Sequence, residues 1–327
     1  MKRNVRAGSR RNGGARLEIL TREELTDIHA ATLEVLEQTG IWVEDEEALE
    51  TFARCGADVD RPSRIVRIPG HLVEAAARSA PSKLVLCGRN PRNDIVLEGN
   101  RVGFTNFGEG IQVIDPYSGE LRVSTLKDVA DSARVVDYLD DVDVYERAVT
   151  ASDMPPESAP LHQAETWMAN TSKHGTMGSG NGYLTRKLVQ MGAALAGGLE
   201  ALRRRPLISF NTCPVSPLKL VRDSCEIIME AARAHIPVNV LSMAMAGGSA
   251  PVTLGGTLVI HNSEVLAGIT LAQLTSKGTP VIYGSSTTAM DLRYAAASVG
   301  SPECALIGGA VAQLARYYLL PSWIAGA

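Results

Sequence analysis

The sequence predicts an α/β fold: a (β/α)8 TIM-type barrel of which about six βα units are present, preceded by an N-terminal helical and small antiparallel β region. Three observations carry this prediction. Between Pro237 and Ala327, the β-favouring runs Val238 to Met245, Val281 to Tyr283 and Trp323 to Ile324 each follow a helix-like segment, and the first two lead through Gly/Ser/Thr loops into another helix. Upstream, Val142 to Thr150, Gly175 to Gly178 and Leu207 to Cys213 extend the rhythm at steps of roughly 30 to 40 residues, the size of a βαβ unit. No GxGxxG turn follows the first strand and nothing signals a reversal of strand order, which favours a barrel over a doubly wound sheet. With the sequence ending at Ala327 after the sixth strand, the barrel is expected to be incomplete.

Three parts are expected along the chain: a basic flexible tail over 1–16, a helical and β cap over 17–130, and the partial barrel over 131–327. The tail carries Lys2, Arg3, Arg6, Arg10, Arg11 and Arg16 among Gly, Ser and Asn, with too little apolar content to fold alone. Thr21 and Glu24 have capping-box spacing, and Leu25, Ile28, Ala31, Thr32 and Val35 recur on one helical face that Gly40 ends. Asp45 opens a second helix that stops at Gly56, and Pro69 to His71 introduce a third, closed by Pro81. From Lys83 to Val123 short β runs alternate with turn signals, and Tyr117-Ser118-Gly119 reads as a hairpin turn. Thr125 and Asp128 form a second capping box. Leu184 to Leu202 reads as one helix, ended by Arg203-Arg204-Arg205, a cationic turn that complements the helix dipole. Ser301-Pro302-Glu303 is an N-cap, an N1 proline and a first-turn carboxylate.

At 327 residues and 45% hydrophobic, the chain can bury a large core. A net charge of −4 gives no long-range attraction to nucleic acid or to an anionic membrane. Five widely spaced cysteines, an odd number, read as reduced thiols, and with no secretory leader or apolar span they point to a cytoplasmic protein.

In such a barrel the chemistry sits at the C-terminal ends of the strands. The corresponding loops, His174 to Gly182, Asn211 to Ser216, Met243 to Gly256, Tyr283 to Asp291 and Ile324 to Ala327, contain no Lys or Arg, which disfavours a phosphate site despite their glycines. No CxxC, HxxxH or HxH supports a metal site, and no Gly-x-Ser-x-Gly elbow supports a serine nucleophile. His174 and His261 read as structural histidines. What remains is neutral, polar and aromatic: Phe107, Phe210, Asn211, Tyr283, Ser285 and Trp323 as candidate substrate-binding residues, with Phe104, Thr212 and Asn239 nearby. Such a lining suits an apolar or cationic methylated ligand, which an aromatic face attracts.

The strings NTCPVSPL from Asn211, MAGGSAPVTLGGTLV from Met245, NSEVLAGITLAQL from Asn262, PVIYGSS from Pro280, MDLR from Met290, and GSPECALI with LARYYLLPSWIAG from Gly300 resemble, in order, the trimethylamine-corrinoid methyltransferase family, as does LTREELTDIHAATLEVLEQTGI near the start. The resemblance covers nearly all of 1–327. It implies a (β/α)8 barrel that moves a methyl group from trimethylamine, or a related methylated amine, to the Co(I) of a separate corrinoid protein in methylamine metabolism and methanogenesis. No cofactor would be bound directly; the corrinoid would be carried by the partner, and a homo-oligomer is expected. Relatives that use trimethylamine carry pyrrolysine, and relatives without it demethylate quaternary amines such as glycine betaine. The chain lacks roughly the family's last third, so the catalytic residue is expected at position 328, read from a UAG codon. Two alternatives stay open: a pyrrolysine-free betaine-type enzyme, and a non-catalytic fragment or methylated-amine-binding module.

Overall fold

The computed structural model describes residues 17–99 and 101–325; the tail expected over 1–16 lies outside them. Helix α1 (Arg22–Glu34) starts on the expected capping box: Thr21 Oγ1 accepts from Glu24 N at 3.2 Å, and the Glu24 carboxylate accepts from Thr21 N at 2.7 Å. Its last turn widens to a π turn, Val35–Thr39, before Gly40 ends it at φ 79°. Only glycine fits there, since a Cβ would also lie 2.6 Å from the Val66 carbonyl oxygen. Asp45 caps α2 (Glu46–Arg54) through Ala48 N at 2.8 Å, and α3 (Gly70–Ser79) follows.

The small antiparallel layer is present as two pairs, Leu84–Leu86 with Ile95–Leu97 and Gln112–Ile114 with Leu121–Val123. The second is the expected hairpin, its turn held by Asp115 Oδ1 accepting from Tyr117 N and Ser118 N. The second capping box, Thr125 with Asp128, opens α4 (Leu126–Tyr138).

The barrel region then alternates strand and helix: β1 (Val144–Glu146), α5 (Ala159–Asn170), β2 (His174–Gly178), α6 (Gly182–Ala196), α7 (Leu199–Arg204), β3 (Ile208–Thr212), α8 (Arg222–Ala234), β4 (Val238–Ser242), α9 (Leu254–Thr275), β5 (Val281–Ser285), α10 (Pro302–Tyr317) and β6 (Ser322–Ile324). The six strands are hydrogen-bonded in chain order in one sheet, the partial barrel that the βα rhythm predicts. Among the described residues no helix is long and apolar enough to cross a membrane.

Two local expectations need correction. The single helix over 184–202 is two, because Gly197 and Gly198, at φ 86° and 130°, take backbone conformations that break it. Arg205 does not cap the helix dipole alone; it grips Asp94 through two 2.8 Å hydrogen bonds and donates to the Gly88 carbonyl at 3.1 Å. The outer edge of β1 is covered: Thr105 bridges Val144, Gly110 bridges Val149, and the Asn106 side chain exchanges hydrogen bonds with Glu146 N and O. Strand edges left open invite association, and this segment covers one.

By compactness the chain divides into two units, cut inside β3. The first, Leu84–Phe210, has Tyr145 packed against Trp167, with ring centroids 6.0 Å apart. Gly175 lies beneath that indole, where a Cβ would meet the ring at 2.2 Å. The second unit joins 17–83 to 211–325 around α9, which is buried from Thr257 to Leu258 and from His261 to Gln273 and is surrounded by α1, α2, α3, α8 and α10. A helix buried on all sides needs such a jacket, and the N-terminal helices supply part of it.

Candidate functional site

The site is built from the parity of the strands. Successive side chains of a strand point to opposite faces, and the register pairs Asn239 with Ile282, Leu241 with Gly284, and Gly284 with Trp323. Asn239 Nδ2 donates to Asn211 Oδ1 at 3.2 Å. Asn211, Asn239, Leu241, Ile282, Gly284 and Trp323 therefore share one face. The other face meets the helices: Val240 lies where a Cβ on Gly268 of α9 would be 2.7 Å away, Ser242 donates to Glu264, and Tyr283 donates to Asn262 Oδ1 at 2.6 Å.

This division sorts the residues expected from the sequence. Asn211 and Trp323 fall together on the sheet face that is turned away from the helices. Tyr283 and Ser285 fall on the helix side and are buried, as is Phe210, which alternation places opposite Asn211. Burial pushes the Tyr283 phenol well above its ordinary range, so the group is a neutral donor to Asn262. Phe107, in the first unit, is 79% exposed, and Phe104 is exposed beside it in sequence. The expected residues of the second unit are thus divided between the two faces of the strands.

The residues that β3 to β6 place on this face, Asn211, Asn239, Leu241, Ile282, Gly284 and Trp323, carry no charge. The buried acceptor of this face, Asn239 Oδ1, has no partner among the described residues and sits over the Cα of Gly284. Among the described residues, no three His, Cys, Asp or Glu side chains converge in a way that could hold a metal ion.

Both histidines are core residues. His174 places Nδ1 at 3.0 Å from the Pro206 carbonyl and Nε2 at 2.9 Å from Ser209 Oγ, and burial lowers its pKa to about 4. His261 places Nδ1 at 2.9 Å from Thr287 Oγ1, its ring edge-on to Tyr283, and burial lowers its pKa to about 3.

Two charged residues at strand ends escaped the sequence reading. Arg147 follows β1 directly, because regular pairing stops at Glu146 and not near Thr150. Its guanidinium is buried, bonding Glu109 Oε1 at 2.6 Å and Gln163 Oε1 at 2.6 Å. Glu264, on α9, is fully buried and accepts from Ser216 Oγ at 2.8 Å, Leu218 N at 2.9 Å and Ser242 Oγ at 2.6 Å. A signal existed: His261-Asn262-Ser263-Glu264 is a polar run inside a long apolar helix, and polar groups in such a place are informative.

Comparison with known proteins adds the following. A model of the trimethylamine methyltransferase (MTTB) family matches residues 2–327. The trimethylamine methyltransferase MttB of Desulfitobacterium hafniense is 54% identical over 322 residues, covering 98% of this chain and 65% of that protein. The one from Methanosarcina barkeri is 44% identical over 333 residues, covering 99% and 67%. A glycine betaine methyltransferase of Desulfitobacterium hafniense is 36% identical over 306 residues, covering 93% and 63%. The chain therefore spans about two thirds of the length of the curated relatives it matches. Among solved structures, the Methanosarcina barkeri monomethylamine methyltransferase (MtmB) aligns with a TM-score of 0.61 at 12% identity, covering 94% of this chain and 62% of that one, a likeness of fold alone.

Proposed function

The chain belongs to the trimethylamine methyltransferase (MTTB) family, and from that premise we propose that it acts in moving a methyl group from a methylated amine to the Co(I) of a separate corrinoid protein. Trimethylamine is the proposed donor, because the relatives named for it are 44% and 54% identical to this chain, whereas the glycine betaine enzyme is 36% identical.

The observation that carries the reading is the uncharged face of β3 to β6 with its single indole. A methylated amine offers little to hydrogen-bond and is cationic whenever its nitrogen is protonated or fully alkylated. An indole face attracts such a cation by about 0.5–2 kcal/mol, and a lysine or arginine in the same place would repel it. The role proposed for Trp323 is this contact; Asn211 and Asn239 shape the polar side, and Phe210, Tyr283 and Ser285 support the face from the helix side. In the transfer, the C–N electron pair stays on nitrogen while the methyl carbon bonds to cobalt. Nitrogen must therefore be cationic before the bond breaks so that it leaves as a neutral amine, and orienting one methyl toward the acceptor is what the face contributes. The five free cysteines suit the reducing, cytoplasmic setting that a Co(I) acceptor requires.

Mixing the native protein with a Co(I) corrinoid protein and a panel of amines tests this by the absorbance of methyl-Co(III). Methylation with trimethylamine is expected. Methylation with glycine betaine alone would move the reading to quaternary amines, and amine binding without methylation would make the protein a binding module.

A further inference from the structure

We propose that Glu264 is a positioning residue that, with His261 one turn away, ties the ends of three successive barrel strands to α9 and so sets the sheet face where the amine is held; this rests on the functional reading above. The two side chains stand at i and i+3 on a single helix and share a face. Glu264 reaches two strand ends at once. Its Oε2 accepts from Ser242, the last residue of β4, and from Ser216 in the loop after β3, while Oε1 accepts from the Leu218 amide of that same loop. The Ser242 carbonyl in turn accepts from Ser286 N at 2.8 Å and from Thr287 Oγ1 at 3.3 Å, in the loop after β5. Thr287 is the residue that meets His261 Nδ1. One turn of α9 thus holds β3, β4 and β5 by their C-terminal ends.

The chemistry of the group suits this role better than a direct part in the reaction. Glu264 is fully buried, and its carboxylate is met by three donors, none of which is a cation. By strand parity it lies behind the sheet, on the face opposite Asn211, Asn239 and Trp323, so it reaches the ligand face only through the backbone it fixes. Asn239 precedes Ser242 by three residues, and Asn211 precedes Ser216 by five, so each lies within a few residues of an anchored point. A displacement of an ångström at such a point costs orders of magnitude in an oriented transfer.

Two substitutions separate positioning from charge. Glu264→Gln can satisfy the same partners, its oxygen accepting from Leu218 N and its amide donating to the two hydroxyls, which are free to turn. Glu264→Ala leaves all three donors without an acceptor. In the native protein with its corrinoid acceptor, Glu264→Ala is expected to lower kcat about ten- to hundredfold, with the KM for the amine changed less than threefold, and Glu264→Gln is expected to recover most of the loss. Amide hydrogen exchange at Leu218 should rise in the Ala variant and stay low in the Gln variant, a readout that holds whatever the substrate is. Were Glu264→Ala not to fold, Ser242→Ala removes one of the three bonds and should give a smaller loss of the same kind. Equal loss of kcat in the Gln and Ala variants would overturn the proposal by assigning the charge itself a role, and unchanged kcat with unchanged exchange would overturn it outright. If the unsubstituted protein methylates no corrinoid while exchange at Leu218 still follows the Ala and Gln pattern, the functional reading fails and the anchoring stands.

Discussion

Asn239 holds its carboxamide oxygen over the Cα of Gly284, where a Cβ would come within 2.1 Å of it. The neighbouring strand offers no escape, since the same Cβ would lie 2.8 Å from the Val240 carbonyl oxygen and 2.9 Å from the Leu241 Cα, both backbone atoms. Glycine at this position leaves room for the Asn239 carboxamide, whose nitrogen donates to Asn211.

Gly284→Ala should therefore destabilise the protein by about 1–3 kcal/mol, the usual cost of an added methyl in a packed core, and break the Asn239–Asn211 hydrogen bond. The shift of the urea midpoint measures the first effect and a structure of the variant the second. An unchanged midpoint would show that the two strands separate more easily than their backbone contacts imply.

Trp323→Leu keeps an apolar side chain and removes the π face. If the indole meets the amine, KM for trimethylamine should rise about twofold to thirtyfold, corresponding to the roughly 0.5–2 kcal/mol of a cation–π contact. Binding measured by calorimetry with the tetramethylammonium ion, which cannot lose a proton, should weaken by a similar factor.

Tyr283→Phe removes one hydroxyl and leaves Asn262 Oδ1 buried without its 2.6 Å donor. Asn262 also donates from Nδ2 to Thr32 Oγ1 and to Tyr318 OH, both at 2.8 Å, so it cannot turn its amide over without losing those bonds. A loss of about 1–3 kcal/mol is expected in chemical denaturation.

The two core histidines give the protein a defined acid limit. Each is held neutral in the fold with a lowered pKa, about 4 for His174 and about 3 for His261, so each contributes stability that is present above the unfolded value near 6.5 and is lost as pH falls toward those values. Below pH 6.5 each adds up to about 1.4 kcal/mol of destabilisation per pH unit. Glu264 works in the opposite sense: burial raises its pKa, so its contribution is present at low pH and lost as pH rises through the folded value. Of the six histidines, the two ring signals of His174 and His261 should show no titration in NMR between pH 8 and pH 5.

Arg147→Met should loosen the segment over 104–110 that covers the edge of β1. Glu109, which also accepts from Gly178 N at 3.1 Å, would lose its guanidinium, and Gln163 Oε1 would lose a donor. Faster amide exchange at Glu109 and Gly110 is the expected readout, with a stability loss of about 1–3 kcal/mol from the stranded acceptors.

Much of the architecture was legible from the residues because its signals are local. Capping boxes at Thr21 and Thr125, the Asp45 cap, the turn over 117–119 and the N1 proline at Pro302 are written within four residues each, and all are present. The rhythm of apolar β runs and helices is likewise a property of short windows, and six strands follow from it in order. The break at Gly197 and Gly198 was equally local but lay inside an alanine-rich helix pattern that outweighed it.

The candidate site was only half legible. The order of strands and loops along the sequence marked the strand ends as rich in neutral polar and aromatic groups, with Phe107, Phe210, Asn211, Tyr283, Ser285 and Trp323 among them. Which of those residues share a face was decided by tertiary structure. Phe210 and Asn211 are neighbours in a strand and must point apart, and nothing within the strand says which of them meets the helices. Packing against α9 settles that, by placing Tyr283 on Asn262 and Ser242 on Glu264, residues 21 and 22 positions away in sequence. The same long-range register turned two charges with no motif around them, Arg147 and Glu264, into the fixed points of the strand ends, because a buried charge finds its partners only once distant segments have come together.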